Sequence, residues 1–100
     1  MKVRYELHGG LVTAILNPGP TATEPVTLEE IFVREEARGR GYATELLTRI
    51  CSDVDAVSAV LILSVDPGLD GLTYAQLVAW YERHGFQGSP DDDVMIRPAG

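Results

Sequence analysis

Val33-Arg34-Glu35-Glu36-Ala37-Arg38-Gly39-Arg40-Gly41-Tyr42-Ala43 joins an apolar, strand-like run (Leu28 to Val33) to an amphipathic helix through a turn rich in arginine and glycine. Glycine lets a backbone turn tightly and approach a ligand with no β-carbon in the way. The first amides of the helix have no intrahelical partner, and the macrodipole places partial positive charge beside them. Such a corner suits a phosphate group. Arg38 and Arg40 add positive charge where an acidic chain concentrates it. On this segment alone, an ordinary strand–helix corner with solvated arginines would read the same. Two familiar phosphate motifs are excluded. Lys2 is the only lysine, so there is no Gly-x-x-x-x-Gly-Lys-Ser/Thr loop, and no Gly-x-Gly-x-x-Gly is followed by an acidic strand end.

Outward from that corner, the periodicity predicts the remaining elements. Upstream, Val3, Tyr5 and Leu7 alternate with Lys2, Arg4 and Glu6, as in a half-buried strand. His8-Gly9-Gly10 is a turn signal, and Leu11 to Leu16 reads as the partner strand of a hairpin. Asn17-Pro18-Gly19-Pro20 ends that strand, and residues 21–25 read as loop. Val26 to Val33 reads as a third strand with a defect. Val26 and Leu28 set one alternation, Ile31 and Val33 the opposite one, so a β-bulge is expected near Glu29-Glu30.

Downstream, Ala43, Leu46, Leu47, Ile50 and Val54 fall on one helix face, with Glu45 and Arg49 at pairing distance on the other. Ala59 to Val65 is an apolar run, as expected for a strand covered on both faces. Asp66-Pro67-Gly68 ends it. Thr73 with Gln76 forms a capping box for the next helix, Leu72 with Leu77 its hydrophobic staple, and Gly85 sits at the left-handed C′ position with Phe86 behind it. A short strand (Phe86, Gln87), a polar turn at Asp91-Asp92-Asp93 and a last strand, Val94 to Arg97, complete the chain. The order β-β-β-α-β-α-β, with the last β made of two short strands, implies an α/β (α+β) fold: a mixed, mostly antiparallel sheet with two packed helices.

One hundred residues suffice for a single domain over 1–100. A net charge of −7 argues against nucleic acid or an anionic membrane surface as the main partner and mildly favours a cationic one. No apolar run approaches the length of a membrane span, and no signal region opens the chain, so a cytoplasmic location is expected. Cys51 is the only cysteine, and it reads as a small core or boundary residue rather than a nucleophile. His84, at a helix C-terminus, is placed where a cationic imidazole is favoured. No arrangement of His, Asp and Glu suggests a metal site.

Arg38-Gly39-Arg40-Gly41-Tyr42-Ala43 resembles the Arg/Gln-x-x-Gly-x-Gly/Ala motif with which the GNAT superfamily of N-acetyltransferases binds acetyl-coenzyme A. Trp80-Tyr81-Glu82-Arg83-His84-Gly85-Phe86 is similar to that family's second hallmark, a Tyr-Glu-x-x-Gly-Phe helix end. The resemblance covers about residues 26 to 88. It implies a GNAT-like acyl-CoA N-acyltransferase fold in which the strands flanking the first helix splay apart and admit the pantetheine arm. The arm would pair with Ile31, Phe32 and Val33. Amides from Gly39 to Thr44, through Arg40, Gly41, Tyr42 and Ala43, would cradle the pyrophosphate with Arg38 and Arg40 close by. Tyr81 takes the position of the general acid that protonates the departing thiolate, a role a phenol suits because its pKa lies just above that of a thiol. The alternative for the same tyrosine is a core aromatic packed on Phe86.

The resemblance also implies direct attack by a primary amine on the thioester, with the oxyanion held by a backbone amide of the bulged strand such as Val33. The chain departs from the family in four places, one of them a longer link from Val65 to Tyr81 through Asp66-Pro67-Gly68-Leu69-Asp70-Gly71. Where many members carry a glutamate on the strand after the helix, this chain has Leu63-Ser64-Val65, leaving Glu29 or Glu30 to act as base through a water, or to be plain solvated carboxylates. An asparagine usual seven residues before the tyrosine is Tyr74 here. The strand and two helices that usually form one wall of the acceptor site have no counterpart before the hairpin, so a homodimer is one expected way of completing that site. The leading expectation is a small N-acetyltransferase with acetyl-CoA as cosubstrate and an amine as acceptor. The competing one is a coenzyme A-binding or interaction module with little or no catalysis.

Overall fold

The structure, a computed structural model, describes residues 2–19, 24–65, 69–88 and 93–99. Six strands form one sheet in the order β1-β2-β3-β4-β6-β5. These are β1 (Val3–Leu7), β2 (Val12–Asn17), β3 (Val26–Val33), β4 (Leu61–Ser64), β5 (Gln87–Gly88) and β6 (Val94–Arg97). Two α-helices lie between them among the described residues, α1 (Tyr42–Ala56) and α2 (Tyr74–Arg83). Among the described residues only the β3–β4 pair is parallel; α1 supplies the crossover such a pair requires. The mixed, mostly antiparallel sheet with two packed helices is therefore as the sequence predicts. Parts of three expected turns, at 20–23, Asp66-Pro67-Gly68 and Asp91-Asp92, lie outside the described residues.

The register carries one interruption. Ile15 pairs with Glu30 and Leu16 with Leu28, leaving Glu29 as the extra residue of a bulge. The bulge is what lets Leu28, Ile31 and Val33 all reach the same core. That face of the sheet also carries Val12, Ala14, Leu16, Leu61, Leu63 and Met95, and α1 covers it with Leu46, Leu47 and Ile50, none of them exposed at all. Cys51 joins this core, and burial pushes its thiol pKa up.

Both helices pack on this one face. Arg97 in β6 reaches across it to clasp Asp55 of α1 through two bonds of 2.6 and 2.9 Å, and its Nε donates to the carbonyl of His84, just past α2, at 2.8 Å. The opposite face has no helix among the described residues. The expectation that the apolar strand at 59–65 is covered on both sides is therefore wrong. Leu61 and Leu63 are buried, whereas Ile62 is half-buried and Ser64 exposed. Ile62 pairs instead with Ile96, which is 47% exposed.

Two local expectations also change. Glu45 turns its carboxylate to His8 rather than to Arg49. His84 is not favoured as a cation: burial first, then the neighbouring Arg83 and Arg97, lower its pKa. By contrast, the α2 cap forms as expected. Gln76 N donates to Thr73 Oγ1 at 3.2 Å, Thr73 N donates to Gln76 Oε1 at 2.9 Å, and Gly85 closes the helix at φ 91°.

Candidate coenzyme and acyl-transfer site

The two helix N-termini are finished differently. Thr73 and Gln76 cap α2 from within the chain, whereas α1 begins at Gly41, which has no side chain to offer its first-turn amides. Before it, Glu35–Ala37 form a 3₁₀ turn and Arg38 is extended. Gly39 and Gly41 both take left-handed backbone, at φ 76° and 80°, where a β-carbon costs on the order of 1 kcal/mol. A β-carbon at either position would meet nothing within 4 Å, so the space in front of the turn is open. The glycines are thus required by the backbone path and leave the approach to the Tyr42, Ala43 and Thr44 amides clear. Arg38 and Arg40 flank this opening on the surface. Every residue predicted for the pyrophosphate lies on this one turn.

From the same turn, β3 leads to a gap in the sheet. Its parallel register with β4 runs Val26–Leu61, Thr27–Ile62 and Leu28–Leu63, and ends there. Ile31, Phe32 and Val33 stay paired with β2 through Ala14, Thr13 and Val12. On their other side β3 has, among the described residues, no registered strand partner past Leu28, and a small cavity of about 20 Å³ opens at that point. The gap is lined by Leu28, Glu29, Glu30, Ile31, Ser64 and Tyr81. Tyr81 comes from α2 and is 2% exposed; its ring lies 5.4 Å from that of Phe86, edge to face. Tyr81 is thus a core aromatic packed on Phe86 that also borders the gap.

The two candidate bases differ. Glu29 holds an ion pair with Lys2 at 2.8 Å and accepts a bond from Asn17 Nδ2 at 2.9 Å. These bonds, Lys2's first, lower its pKa, which weakens it as a base. Glu30 is exposed and borders the gap on the side away from the helices. Ser64, at the position where a glutamate is usual, borders the same gap.

Two residues at this site were not picked out from the sequence. His8, at φ 55° in the β1–β2 turn, stacks its ring on Tyr42 at 3.8 Å and meets the Glu45 carboxylate with Nε2. It staples the hairpin to the first turn of α1. Trp80 donates from Nε1 to Thr44 Oγ1 at 2.9 Å and lines, with Ala43, Leu69 and Leu72, a small cavity of about 90 Å³ beside the glycine turn. Thr44 therefore turns its hydroxyl to α2 and leaves its amide on the turn. Neither contact has a local signature, since the partners stand more than thirty residues apart. Among the described residues, no group of His, Cys, Asp and Glu could hold a metal ion, and no helix is long and apolar enough to cross a membrane.

This architecture is similar to that of several solved proteins. The anti-CRISPR protein AcrVA5 superposes with a TM-score of 0.72 at 18% identity, over 95% of this chain and 96% of that one. A ribosomal-protein alanine N-acetyltransferase from Escherichia coli gives 0.76 at 19% identity, over 99% of this chain and 70% of the longer one. AtaTR bound with acetyl-CoA gives 0.62 at 15% identity, over 89% of this chain and 58% of that one. At these identities the likeness is one of fold. No characterised protein matches by sequence alone. The family model for the acetyltransferase (GNAT) domain, however, matches residues 4–88, and with that match, on this fold, the chain belongs to the GNAT acetyltransferase family.

Proposed function

We propose that residues 1–100 act as a single GNAT-like domain that moves acetyl from acetyl-CoA to a primary amine by direct attack. The observation that carries this reading is the continuity of two features. An uncapped glycine turn with open space before it leads along β3 into a gap that starts at the bulge and contains Tyr81. An unshielded helix N-terminus with two flanking arginines fits a pyrophosphate, and an extended strand released on one side fits the amide-bearing pantetheine arm.

In this reading the amides of Gly39 to Thr44, with Arg38 and Arg40, hold the pyrophosphate. Ile31, Phe32 and Val33 align the arm, which brings an activated thioester to the gap. Tyr81 Oη delivers its proton to the departing sulfur, and its burial against Phe86 fixes the ring for that transfer. Glu30, through a water, removes a proton from an amine arriving at the open face. Glu29 is better suited to holding Lys2 and Asn17 at the bulge. A chain of net charge −7 favours a cationic acceptor over nucleic acid.

The second reading is a coenzyme-binding module with little turnover, and Ser64 in place of a carboxylate favours it. Thermal unfolding with saturating acetyl-CoA, followed by transfer assays on a broad panel of amines, separates the two. Ligand at a hundred times its dissociation constant adds about 2.7 kcal/mol, a shift of several degrees. Stabilisation with turnover that falls in Tyr81→Phe supports the enzyme. Stabilisation without turnover supports the module. No stabilisation at millimolar ligand overturns both.

A further inference from the structure

The sheet has two edges, and they differ in kind. Among the described residues β5 spans only Gln87–Gly88, whereas β1 presents five residues in regular extended form. An open groove of about 370 Å³ runs along Val3–Leu7 and is bounded by Arg49 and Asp53 of α1. Tyr5 is tied to that rim by a 2.7 Å bond from its hydroxyl to Asp53 Oδ2. Val3, at the start of the strand, is 46% exposed. A strand edge offers unpaired backbone donors and acceptors, and natural proteins usually blunt it with charge. Here the two charges are of opposite sign, Arg4 and Glu6, placed symmetrically about Tyr5, and they meet at 3.3 Å along the strand.

We propose that β1 is a homodimerisation edge that pairs antiparallel with β1 of a second copy about a two-fold axis at Tyr5. In that register Arg4 of each copy stands opposite Glu6 of the other, giving two cross-strand ion pairs on the open face. Val3 stands opposite Leu7 and Tyr5 opposite Tyr5 on the helix-covered side, so apolar side chains meet apolar ones. The charges also select against the alternatives. A shift of two residues places Arg4 against Arg4 or Glu6 against Glu6, and parallel pairing does both. The rim repeats the pattern, with one cation and one anion, Arg49 and Asp53, on the same side of the groove. The occupant is thus a strand with the charge order of β1 itself, and the result is a continuous twelve-stranded sheet.

The test is sedimentation of the intact chain from micromolar to about 1 mM, the range in which a dimer with a dissociation constant between about 1 μM and 1 mM forms. The wild type is expected to dimerise. Arg4→Glu alone and Glu6→Arg alone each set like charges opposite one another twice, and each should weaken the dimer by about tenfold or more. The double swap, R4E with E6R, should restore it. Mixing the two single variants should also restore association, because a strand with two acidic side chains then faces a strand with two basic ones. Both positions are exposed, and circular dichroism checks that each variant folds. A wild type that stays monomeric to 1 mM overturns the proposal. So does a dimer indifferent to all the variants, or single variants that fail to recover on mixing.

Discussion

The two faces of this sheet have the same backbone and opposite fates. One carries Leu16, Leu28, Leu63 and Met95 under two helices, and its central side chains are buried. The other carries Phe32, Val94 and Ile96, at 48%, 37% and 47% exposure, with no helix over them among the described residues. The gap at the bulge joins the two, with Tyr81 on the covered side and Glu30 and Ser64 towards the open one. The lesson is that stability resides on one side of the sheet, which leaves the other side free for a ligand. In the function proposed above, a thioester held from the covered side would be reached from the open side without disturbing the core.

The largest effect should come from the covered face. Leu46→Ala, at a position with no exposure, is expected to lose about 2–5 kcal/mol in urea unfolding, while Ile96→Ala should lose under about 1 kcal/mol. Equal losses would break the comparison, since Ile96 would then have to be covered. Next in size is the chemistry at the gap. Glu30→Gln should lower kcat/KM by about a hundredfold for an amine that arrives protonated, with little change in the acetyl-CoA thermal shift. Glu29→Gln should act far more weakly on turnover, and the reverse order would move the base to Glu29.

A smaller, more selective contrast uses two left-handed glycines. Gly41→Val and Gly85→Ala both force a β-carbon into positive φ, at roughly 1–2 kcal/mol each. Only the first should abolish the acetyl-CoA shift, because Gly41 faces open space and Gly85 faces the Arg97 side chain. If Gly85→Ala removed the shift equally, the glycine turn would not be the ligand's contact. The smallest effect is one of pH. Arg97, chiefly through its hydrogen bonds, holds the Asp55 carboxyl below its ordinary pKa. A depressed pKa stabilises the fold fully above the unfolded value of about 3.9 and loses that contribution as pH falls through the folded value. The stability difference between wild type and Asp55→Asn should therefore be constant near neutrality and shrink below about pH 4. A difference that persisted under strong acid would mean that the clasp acts through packing.

Much of the fold was legible because its signals are local. The phase reversal between Val26-Leu28 and Ile31-Val33 can be reconciled only by an extra residue, and the bulge stands there. Thr73 with Gln76 and Gly85 mark both ends of α2 through bonds that span three residues or through one backbone angle. The candidate coenzyme turn was legible for the same reason. The apolar strand at 59–65 misled because apolar runs report a hydrophobic neighbourhood without saying on how many sides. Ile62 owes its character to a cross-strand neighbour, Ile96, and not to a second helical layer. His84 misled in a similar way. Its helix end favours a cation, but burial and two arginines outweigh that, and only the fold brings Arg97 there.

By itself the sequence determined the order of elements, the bulge, the glycine turn and both ends of α2, because each depends on backbone preferences or periodicities within a few residues. Only the tertiary structure decided that both helices share one face, that β3 and β4 part at Leu28 and Leu63, and that Tyr81 lines the opening. It also decided that His8 and Trp80 brace the glycine turn and that Lys2 and Asn17 occupy Glu29. Those are meetings between residues far apart in the chain. They are chosen by which apolar surfaces can be buried together, and no short stretch of sequence records that choice.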